Sequence, residues 1–186
     1  MRIKRILFRF WKADSERKIS KIKDHIDPRE SILDIGAGPC WVTFLLREMG
    51  YSIIPVDITN QSIFDEIRPM IFNGRDLPYR ERKFDVSLIL TVLHHSNDPV
   101  LLLRESSRVS KKVIIIEDIY SSSFMEFITK FADSLMNLHF LGHPHENKTD
   151  AQWRNTFRDL DLQLEYSEIF RIGMIFKQVL YVLKEP

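Results

Sequence analysis

Short runs of β-branched and apolar residues alternate along the chain with segments whose apolar positions have helical spacing. The short runs, which begin at Ser31, are SILDI, SIIPVD, MIF, FDVSLIL and KKVIIIED. The helical spacing occurs between most of them, at residues 41–49, 63–67 and 99–109. Runs that are apolar on both faces and separated by helices are typical of a parallel sheet covered on both sides. We therefore predict an α/β fold.

The remaining segments predict further helices and a different kind of strand. Residues 124–138 have the spacing of a helix, and the polar stretch GHPHENKTD follows. AQWRNTFRDL predicts a short helix that begins near Thr149 or Asp150, because either side chain can cap its first turn. LQLEYSEIF and IFKQVLYVLK read as strands without a helix between them, so we expect an antiparallel pair at one sheet edge. The residues before Ser31 predict one or two helices.

Composition changes this picture little. The chain has 186 residues, 44% hydrophobic and 28% charged, which suits one soluble domain with a sizeable core. A formal net charge of +1 gives no sign of nucleic acid or an acidic polymer as partner. The single cysteine, Cys40, allows no internal disulfide, and no apolar run reaches the roughly 18 residues of a membrane span. We expect a cytoplasmic protein.

The stretch SILDIGAGPCWVTFLL joins a predicted strand to a predicted helix through a glycine turn. Such a turn places N–H groups at the positive end of a helix and lets a ligand approach the backbone closely. Gly36 and Gly38 match two glycines of the dinucleotide fingerprint, but the bulky Trp41 occupies the position of the third. This argues against a dinucleotide, and the sequence has no phosphate-binding P-loop.

Acidic residues follow three of the predicted strands and favour another ligand. Asp34 lies just before the turn, where it would repel a pyrophosphate but suit a cationic amino group. Asp57 ends the second strand, where a carboxylate can accept both hydroxyls of a ribose. Asp76, in RDLPY after the third strand, lies where a carboxylate could receive an adenine amino group.

In this order and spacing, LDIGAG, PVDI, DLPY and FDVSLILTVLHHSNDP resemble the class I S-adenosylmethionine-dependent methyltransferases, specifically the small-molecule, type 11-like members. The resemblance covers about residues 22–117 well and the tail loosely. It implies a Rossmann-like methyltransferase fold, in which a mostly parallel seven-stranded sheet has an antiparallel last strand and helices on both faces. S-adenosylmethionine is the implied cofactor.

The resemblance also implies a layout within one domain, residues 1–186. Residues 1–30 would form a helical N-terminal lid and residues 31–118 the cofactor-binding core. Residues 119–186 would supply substrate-side helices and the closing antiparallel strands.

The resemblance implies a role for each residue of the first two motifs. Asp34, Gly36 and Gly38 would form the floor under the methionine part of the cofactor. Asp57 would hold the ribose hydroxyls, and Ile58 would pack on the adenine. The alternative for Asp57 is a solvated strand end.

The resemblance assigns the later motifs to the adenine and the amino group. Asp76 and the backbone of Leu77 would read the adenine edge, and Thr91 would offer its carbonyl to the cofactor's amino group. The alternative for Asp76 is a bond to its own backbone that starts the Leu77–Pro78 turn. Many relatives have a third glycine where this chain has Cys40, so we expect Cys40 to keep the close approach and avoid a positive φ.

The sequence says less about the methyl acceptor than about the cofactor. A sulfonium already has a good leaving group, so the protein mainly has to align the reactants. A base is required only where the acceptor must lose a proton. His94 and His95 follow the fourth strand and are the candidate catalytic bases, with turn capping or core packing as the alternative. The chain lacks, after this strand, both the Pro-Pro tetrad of nucleobase-amine methyltransferases and a cysteine for cytosine C5 chemistry.

Other residues are candidates for contacting the acceptor. Asp118, with Glu117, lies at the carboxyl end of the fifth strand, where open α/β sheets bind ligands. His143 and His145 lie in the polar stretch and could face the substrate. With Glu146 they could instead bind a metal, or simply form polar surface. We expect no metal, since the family that the chain resembles needs none.

We therefore expect methyl transfer to oxygen, nitrogen or carbon of a small-molecule substrate. One alternative is a non-catalytic S-adenosylmethionine-binding protein that acts through a partner. The other is an RNA or protein methyltransferase, although the near-neutral charge disfavours nucleic acid. Basic residues at helical spacing near the N-terminus could contact a membrane surface, cover an anionic substrate or cover the cofactor entrance. These residues are Arg2, Arg5, Arg9 and Lys12.

Overall fold

The computed structural model describes residues 2–119, 148–172 and 176–184. Its strands are β1 (Ser31–Ile35), β2 (Ser52–Asp57), β3 (Met70–Ile71), β4 (Phe84–Leu90), β5 (Ser110–Ile119), β6 (Gln163–Ile172) and β7 (Phe176–Lys184). Its α-helices are α1 (Arg2–Ile22), α2 (Trp41–Glu48), α3 (Pro99–Val109) and α4 (Asp150–Asp159). Short 3₁₀ helices occupy Lys23–His25 and Leu93–His95.

The strands pair in one seven-stranded sheet with the order β3-β2-β1-β4-β5-β7-β6. The strands from β3 to β5 pair in parallel, whereas β7 is antiparallel to both of its neighbours. The predicted fold class is confirmed, including the antiparallel pair at one edge. Only three residues separate β6 from β7, too few for the crossover that parallel pairing needs, so the strands form a hairpin.

Helices cover both faces of the sheet, and each face has its own buried apolar cluster. On one face, α1 and α2 bury Ile19, Ile22, Val42 and Leu46 against the strands. On the other face, α3 and α4 bury Leu102, Leu103, Trp153 and Phe157. This two-sided burial explains why β5 carries four successive apolar residues and why β4 ends in three.

The helix predicted near Thr149 begins there, as expected. The Thr149 hydroxyl accepts the N–H of Gln152 at 3.3 Å, and the Gln152 side-chain oxygen accepts the N–H of Thr149 at 2.8 Å. This reciprocal capping box satisfies N–H groups that the first helical turn leaves without partners. Helix α3 likewise occupies its predicted range.

The prediction of a helix over residues 63–67 is wrong. Residues 58–69, all described by the structure, form turns and bends between β2 and β3. Five residues make little more than one turn, and a helix nucleus that short is unfavourable without caps. Phe64 instead stacks on Phe44 with ring centroids 4.3 Å apart, and Ile67 is buried. Tertiary contacts therefore fix this segment, and the apolar spacing that they require imitates a helix.

Two sequence predictions fall partly or wholly outside the described residues. These are the helix at 124–138 and the polar stretch that contains His143 and His145. Within the described part of the chain, no helix combines the length and apolar character needed to cross a membrane. Contact of the basic N-terminal residues with a membrane surface stays a prediction.

Candidate functional site

A cavity of about 1290 Å³ lies at the carboxyl ends of β1, β2 and β4. In open α/β sheets this edge is where ligands bind. The glycine turn after β1, the end of β2 and the 3₁₀ helix after β4 all contribute to its lining, and α1 supplies another wall. The volume exceeds the roughly 300–1,000 Å³ of a site for one drug-sized ligand. It therefore has room for a nucleoside cofactor and a small second molecule.

The two glycines of the turn have different tasks. Gly36 (φ 71°) and Gly38 (φ 49°) both lie in the left-handed region. A Cβ on Gly36 would lie 2.6 Å from both Cγ atoms of Val92, so this glycine lets the turns after β1 and β4 pack together. A Cβ on Gly38 would meet no atom within 4 Å, and Gly38 lines the cavity. Gly38 therefore keeps space open for a ligand.

Cys40 corrects one expectation, because it adopts the positive φ that we expected it to avoid. Its φ is 62° and its ψ 23°, directly before α2. Its N–H donates to the Ala37 carbonyl at 2.8 Å, and its own carbonyl accepts the Phe44 N–H at 2.9 Å. These bonds offset the roughly 1–2 kcal/mol that a left-handed conformation costs. Burial raises the pKa of the Cys40 thiol to about 11, so the thiol stays protonated at neutral pH.

Asp34 is a buried acid at the end of β1, and its Oδ2 accepts the Thr43 hydroxyl at 2.6 Å. Burial raises the pKa of Asp34 to about 6, and the Asp57 carboxylate acts in the same direction. The Thr43 hydrogen bond and the Lys18 ammonium oppose this rise. A cation bound in the cavity would favour the ionised form of Asp34. The site thus suits the cationic part of a ligand, as expected from the sequence.

Asp57 is held at the mouth of the glycine turn. Its Oδ2 accepts the Gly38 N–H at 2.8 Å, and its Oδ1 accepts the Thr59 N–H at 3.2 Å. The side chain is only 7% exposed, so the alternative of a solvated strand end is wrong. Each carboxylate oxygen retains capacity for another donor, and Asp57 lines the cavity. Ile58, the next residue, also lines the cavity and presents an exposed apolar side chain.

The structure places Asp76 and Leu77 away from the cavity lining, contrary to the expectation. The Leu77 N–H donates to Glu105 Oε2 at 3.0 Å, and its carbonyl accepts Arg108 Nη2 at 3.0 Å. These backbone groups are therefore already committed. The exposed Asp76 side chain accepts a hydrogen bond from Asn73 Nδ2 at 3.0 Å. The side chain that holds this loop is that of Asn73, whose Oδ1 accepts the N–H groups of Arg75 and Asp76, both at 2.8 Å.

Asn73 and Gly74 line the cavity in place of Asp76 and Leu77. A Cβ on Gly74 would lie 3.3 Å from Ile58 Cγ2, so the loop after β3 packs close to the end of β2. In the sequence, Asn73 and Gly74 could have been identified by their position directly after the predicted strand MIF. Asp76 was chosen instead because its acidic side chain suits an adenine amino group.

Thr91 lines the cavity at the end of β4, as expected, and a lysine that the sequence pattern did not predict joins it. Lys18 on α1 is only 8% exposed. Its Nζ donates to Thr91 Oγ1 at 2.7 Å and pairs with Asp14 Oδ2 at 2.8 Å. An ammonium group therefore stands inside the cavity beside the turn after β4. The basic residues singled out in the sequence lie in the first turns of α1, whereas the lysine that faces the cavity lies further along the helix.

His94 and His95 both line the cavity, with ring centroids 3.9 Å apart. His94 is buried, and its Nδ1 lies 2.6 Å from Glu117 Oε2. Glu117 Oε1 accepts the N–H groups of Val92 at 2.8 Å and Leu93 at 2.7 Å. A carboxylate in this role accepts at both oxygens, so Nδ1 of His94 carries a hydrogen. In the neutral ring, Nε2 then holds the lone pair that a base requires.

Glu117 corrects a further expectation, since its side chain does not line the cavity. Its side chain is wholly buried behind the 3₁₀ helix and positions His94 from there. Asp118 does line the cavity, and its Oδ1 accepts Gln178 Nε2 at 3.0 Å. His143 and His145 lie outside the described residues. Within the described segments, no group of three or more histidine, cysteine, aspartate or glutamate side chains could hold a metal.

Comparison with known proteins agrees with this geometry. Residues 33–115 match a family model described as a methyltransferase domain. The uncharacterized protein MJ1123 of Methanocaldococcus jannaschii is 34% identical over 114 residues, which cover 58% of this chain and 53% of that protein. The chain thus spans about half the length of this curated relative.

Solved structures of methyltransferases share the fold at low sequence identity. An S-adenosylmethionine-dependent methyltransferase from Methanosarcina mazei is 15% identical, with a TM-score of 0.68 and coverage of 88% of this chain and 96% of that chain. Magnesium protoporphyrin IX methyltransferase from Synechocystis PCC 6803, with bound S-adenosylhomocysteine, is 13% identical, with a TM-score of 0.66 and coverage of 94% and 83%.

The segment that matches the methyltransferase-domain model contains much of the site. Residues 33–115 include the glycine turn, Asp57 and both histidines. Over this segment the chain is similar to methyltransferase domains, and it shares the fold of S-adenosylmethionine-dependent methyltransferases of known structure, in agreement with the resemblance drawn from the sequence. S-adenosylmethionine is the cofactor of this class.

Proposed function

We propose that this protein transfers the methyl group of S-adenosylmethionine to a small-molecule acceptor. The observation that carries the proposal is the shape of one cavity. It joins an acid-lined glycine turn to a carboxylate-oriented histidine, and its volume of about 1290 Å³ exceeds what one ligand needs.

The residues of β1 to β4 would hold the cofactor, which supplies a methyl group on a cationic sulfur. Asp57 would accept hydrogen bonds from the ribose hydroxyls, while the Gly38 N–H keeps its carboxylate in place. Ile58 and Gly74 would pack on the adenine, and the second hydrogen of Asn73 Nδ2, whose first is donated to Asp76, would reach the adenine edge. Asp34 would stabilise the positive charge of the methionine part, because it is a buried acid of the opposite sign.

His94 would take a proton from the acceptor. The hydrogen bond between its Nδ1 and Glu117 fixes the ring orientation and stabilises the imidazolium that forms when Nε2 gains the proton. A buried carboxylate that also holds two backbone N–H groups is a rigid support for that ring. His95 lines the same wall and is the alternative base.

Two features favour a small molecule over RNA or protein. The α1 wall of the cavity includes Phe10, Trp11 and Ala13, which are suited to an apolar or partly apolar compound. The net charge of +1 supplies no excess of cations for a phosphate backbone. A support as specific as Glu117 for a cavity histidine also argues against a purely non-catalytic cofactor-binding role.

The proposal is tested with methyl-labelled S-adenosylmethionine and a cell extract divided into small-molecule, RNA and protein fractions. We expect the label to enter the small-molecule fraction with the wild-type protein, and to a much smaller extent with Gly38→Ala at the same low cofactor concentration. Label in RNA or protein would show that the proposed acceptor class is wrong. Absence of label from every fraction, with a protein that binds the cofactor, would favour the non-catalytic alternative.

A further inference from the structure

Gln178 on β7 and Asp118 on β5 form a wall of the cavity that the cofactor residues leave unused. The two residues are paired in the β5–β7 register, and both line the cavity. Strand β7 is the third strand from β1, so at roughly 4.8 Å per strand it lies about 14 Å from the glycine turn. This wall is therefore on the far side of β4 from the cofactor-binding residues, beyond the turn that carries His94.

The orientation of the Gln178 amide follows from its partner. Its Nε2 donates to Asp118 Oδ1 at 3.0 Å. A carboxylate offers only acceptors, so the amide nitrogen must face Asp118 and the amide oxygen must point elsewhere. The side-chain amide therefore cannot rotate by 180° to give its oxygen a hydrogen-bond donor, because the oxygen would then face the Asp118 carboxylate.

The amide oxygen of Gln178 has no hydrogen-bond partner among the described residues, although the side chain is only 4% exposed. Buried polar atoms are rarely left unsatisfied, because the hydrogen bond to water is lost and nothing replaces it. A ligand group that donates a hydrogen bond would supply the missing partner. An ionised carboxylate has no hydrogen to donate to this amide oxygen, so a ligand that presents one at this position is disfavoured.

We propose that Gln178, whose amide Asp118 orients, binds the methyl acceptor, and that the acceptor presents to Gln178 Oε1 a hydroxyl or amine hydrogen other than the one that His94 would remove. This inference rests on the proposed function and names the substrate class as an alcohol or amine. Apolar contacts would come from Ile172 of β6 and from Phe10 and Trp11 of α1, which line the same cavity.

The test uses protein saturated with S-adenosylhomocysteine, whose own binding is first measured by calorimetry. Four small aromatic probes are then titrated by ligand-observed NMR: benzyl alcohol, benzylamine, toluene and benzoate. We expect the alcohol or the amine to bind more tightly than toluene and benzoate. Gln178→Leu should weaken that binding about three- to tenfold, as expected for one hydrogen bond. Gln163→Leu, at an exposed position of β6, is the matched control and should leave it unchanged.

The wild-type protein provides a second measurement if Gln178→Leu does not fold. The side-chain amide resonances of Gln178 should shift on addition of benzyl alcohol or benzylamine and not of toluene. If benzyl alcohol causes the shift, the acceptor presents a hydroxyl to Gln178; if benzylamine causes it, the acceptor presents an amine.

Several results would overturn the inference while leaving the proposed function intact. In each of them S-adenosylhomocysteine binds. The contradicting results are that neither benzyl alcohol nor benzylamine binds, or that toluene or benzoate binds equally well. Unshifted Gln178 resonances, or an unchanged probe affinity in Gln178→Leu, would also contradict the inference. Failure of S-adenosylhomocysteine to bind would instead remove the proposed function, and the inference with it.

Discussion

At the scale of single residues, two glycines of one turn share a backbone conformation and differ in what surrounds them. Gly36 is packed against Val92, whereas Gly38 faces open space in the cavity. A side chain at Gly36 would therefore disturb the fold. A side chain at Gly38 would mainly meet the ligand, so Gly38 is the better place to test cofactor binding.

We predict that Gly38→Ala weakens S-adenosylmethionine binding by at least about 1–3 kcal/mol, the usual cost of overpacking. The left-handed backbone adds about 1–2 kcal/mol of lost stability. Gly50→Ala is the control, since Gly50 also has a positive φ and a Cβ there would meet no atom within 4 Å, but it lies outside the cavity lining. Calorimetry and denaturation should show similar stability losses and a binding loss only for Gly38→Ala. Equal binding by both variants would contradict the assignment of this turn.

Asp34 makes both binding and stability depend on pH. Its folded pKa of about 6 lies above the ordinary value of 3.8. The folded state therefore holds more protons than the unfolded state between these values, so Asp34 lowers stability as pH rises through this range. Binding has the opposite sign, because ionised Asp34 attracts a cationic cofactor, and affinity should fall as pH drops through 6.

We predict that Asp34→Asn removes much of this dependence. The variant should be more stable than wild type at pH 7 by up to about 3 kcal/mol, and nearly equal to it at about pH 4. Its affinity for S-adenosylmethionine should change less between about pH 7 and pH 5 than that of wild type. Parallel pH profiles of the two proteins, in urea denaturation and in calorimetry, would show that Asp34 does not titrate in this range.

At the scale of elements, the local sequence predicted helices and strands correctly where hydrogen bonds within the element determine its ends. Thr149 caps α4 as predicted, and the structure adds the reciprocal bond from Gln152. The predicted strands matched because burial on both faces leaves a long apolar run in the sequence. The predictions of a helix at 63–67 and of a negative φ at Cys40 were wrong, because contacts between residues distant in sequence determine the backbone there. Gln178 and Lys18 were missed for the same reason, since only the fold brings them to the cavity.

The cap of α4 offers a stability test. Thr149→Ala should lower the free energy of unfolding by about 1 kcal/mol, because the Gln152 N–H loses its acceptor at the helix start. Thr149→Ser retains a hydroxyl and should lose much less. Chemical denaturation of both variants is the measurement, and equal losses would show that the hydroxyl does not contribute.

The 3₁₀ helix after β4 depends on Glu117. Glu117→Gln cannot accept hydrogen bonds at both side-chain positions, so His94 should lose its fixed tautomer. We predict a fall in single-turnover methyl transfer of roughly 10²–10⁴-fold and a shifted pH profile, with little change in cofactor affinity. ¹⁵N NMR should show the Nδ1–H form of His94 in wild type and its loss in the variant. Glu105→Gln, which removes an acceptor outside the cavity lining, is the control.

Normal turnover of Glu117→Gln with a proton-bearing acceptor would exclude His94 as the base. Attention would then move to His95, which lines the same wall.

At the scale of the whole molecule, sheet order is what makes one cavity from distant segments. Strands β2, β1 and β4 bring the cofactor residues together, and β5 and β7 add a second wall. The fold was predictable, and so was the position at the cavity of Asp34, Asp57 and the glycine turn, because these residues lie at strand ends. The expectation for Asp76 and Leu77 was not met, since they lie outside the cavity lining. The acceptor half of the cavity was not predictable, because its residues come from strands and helices whose relative placement no local pattern encodes.

Binding of a ligand to the folded state alone should raise the melting temperature. At a concentration about one hundred times its dissociation constant, S-adenosylhomocysteine should add about 2.7 kcal/mol of stability, or about 5–10 °C for a domain of this size. Asp57→Ala should show little of this increase at the same concentration. An equal increase in both proteins would place the ligand elsewhere.

The most direct test of the central claim is calorimetric titration of S-adenosylhomocysteine and of NAD into wild type and Asp57→Ala. We predict one S-adenosylhomocysteine site per chain, binding weakened by about 2–4 kcal/mol in folded Asp57→Ala, and no micromolar binding of NAD. Absence of S-adenosylhomocysteine binding to the folded wild type, unchanged affinity in Asp57→Ala, or displacement of the ligand by NAD would contradict the account.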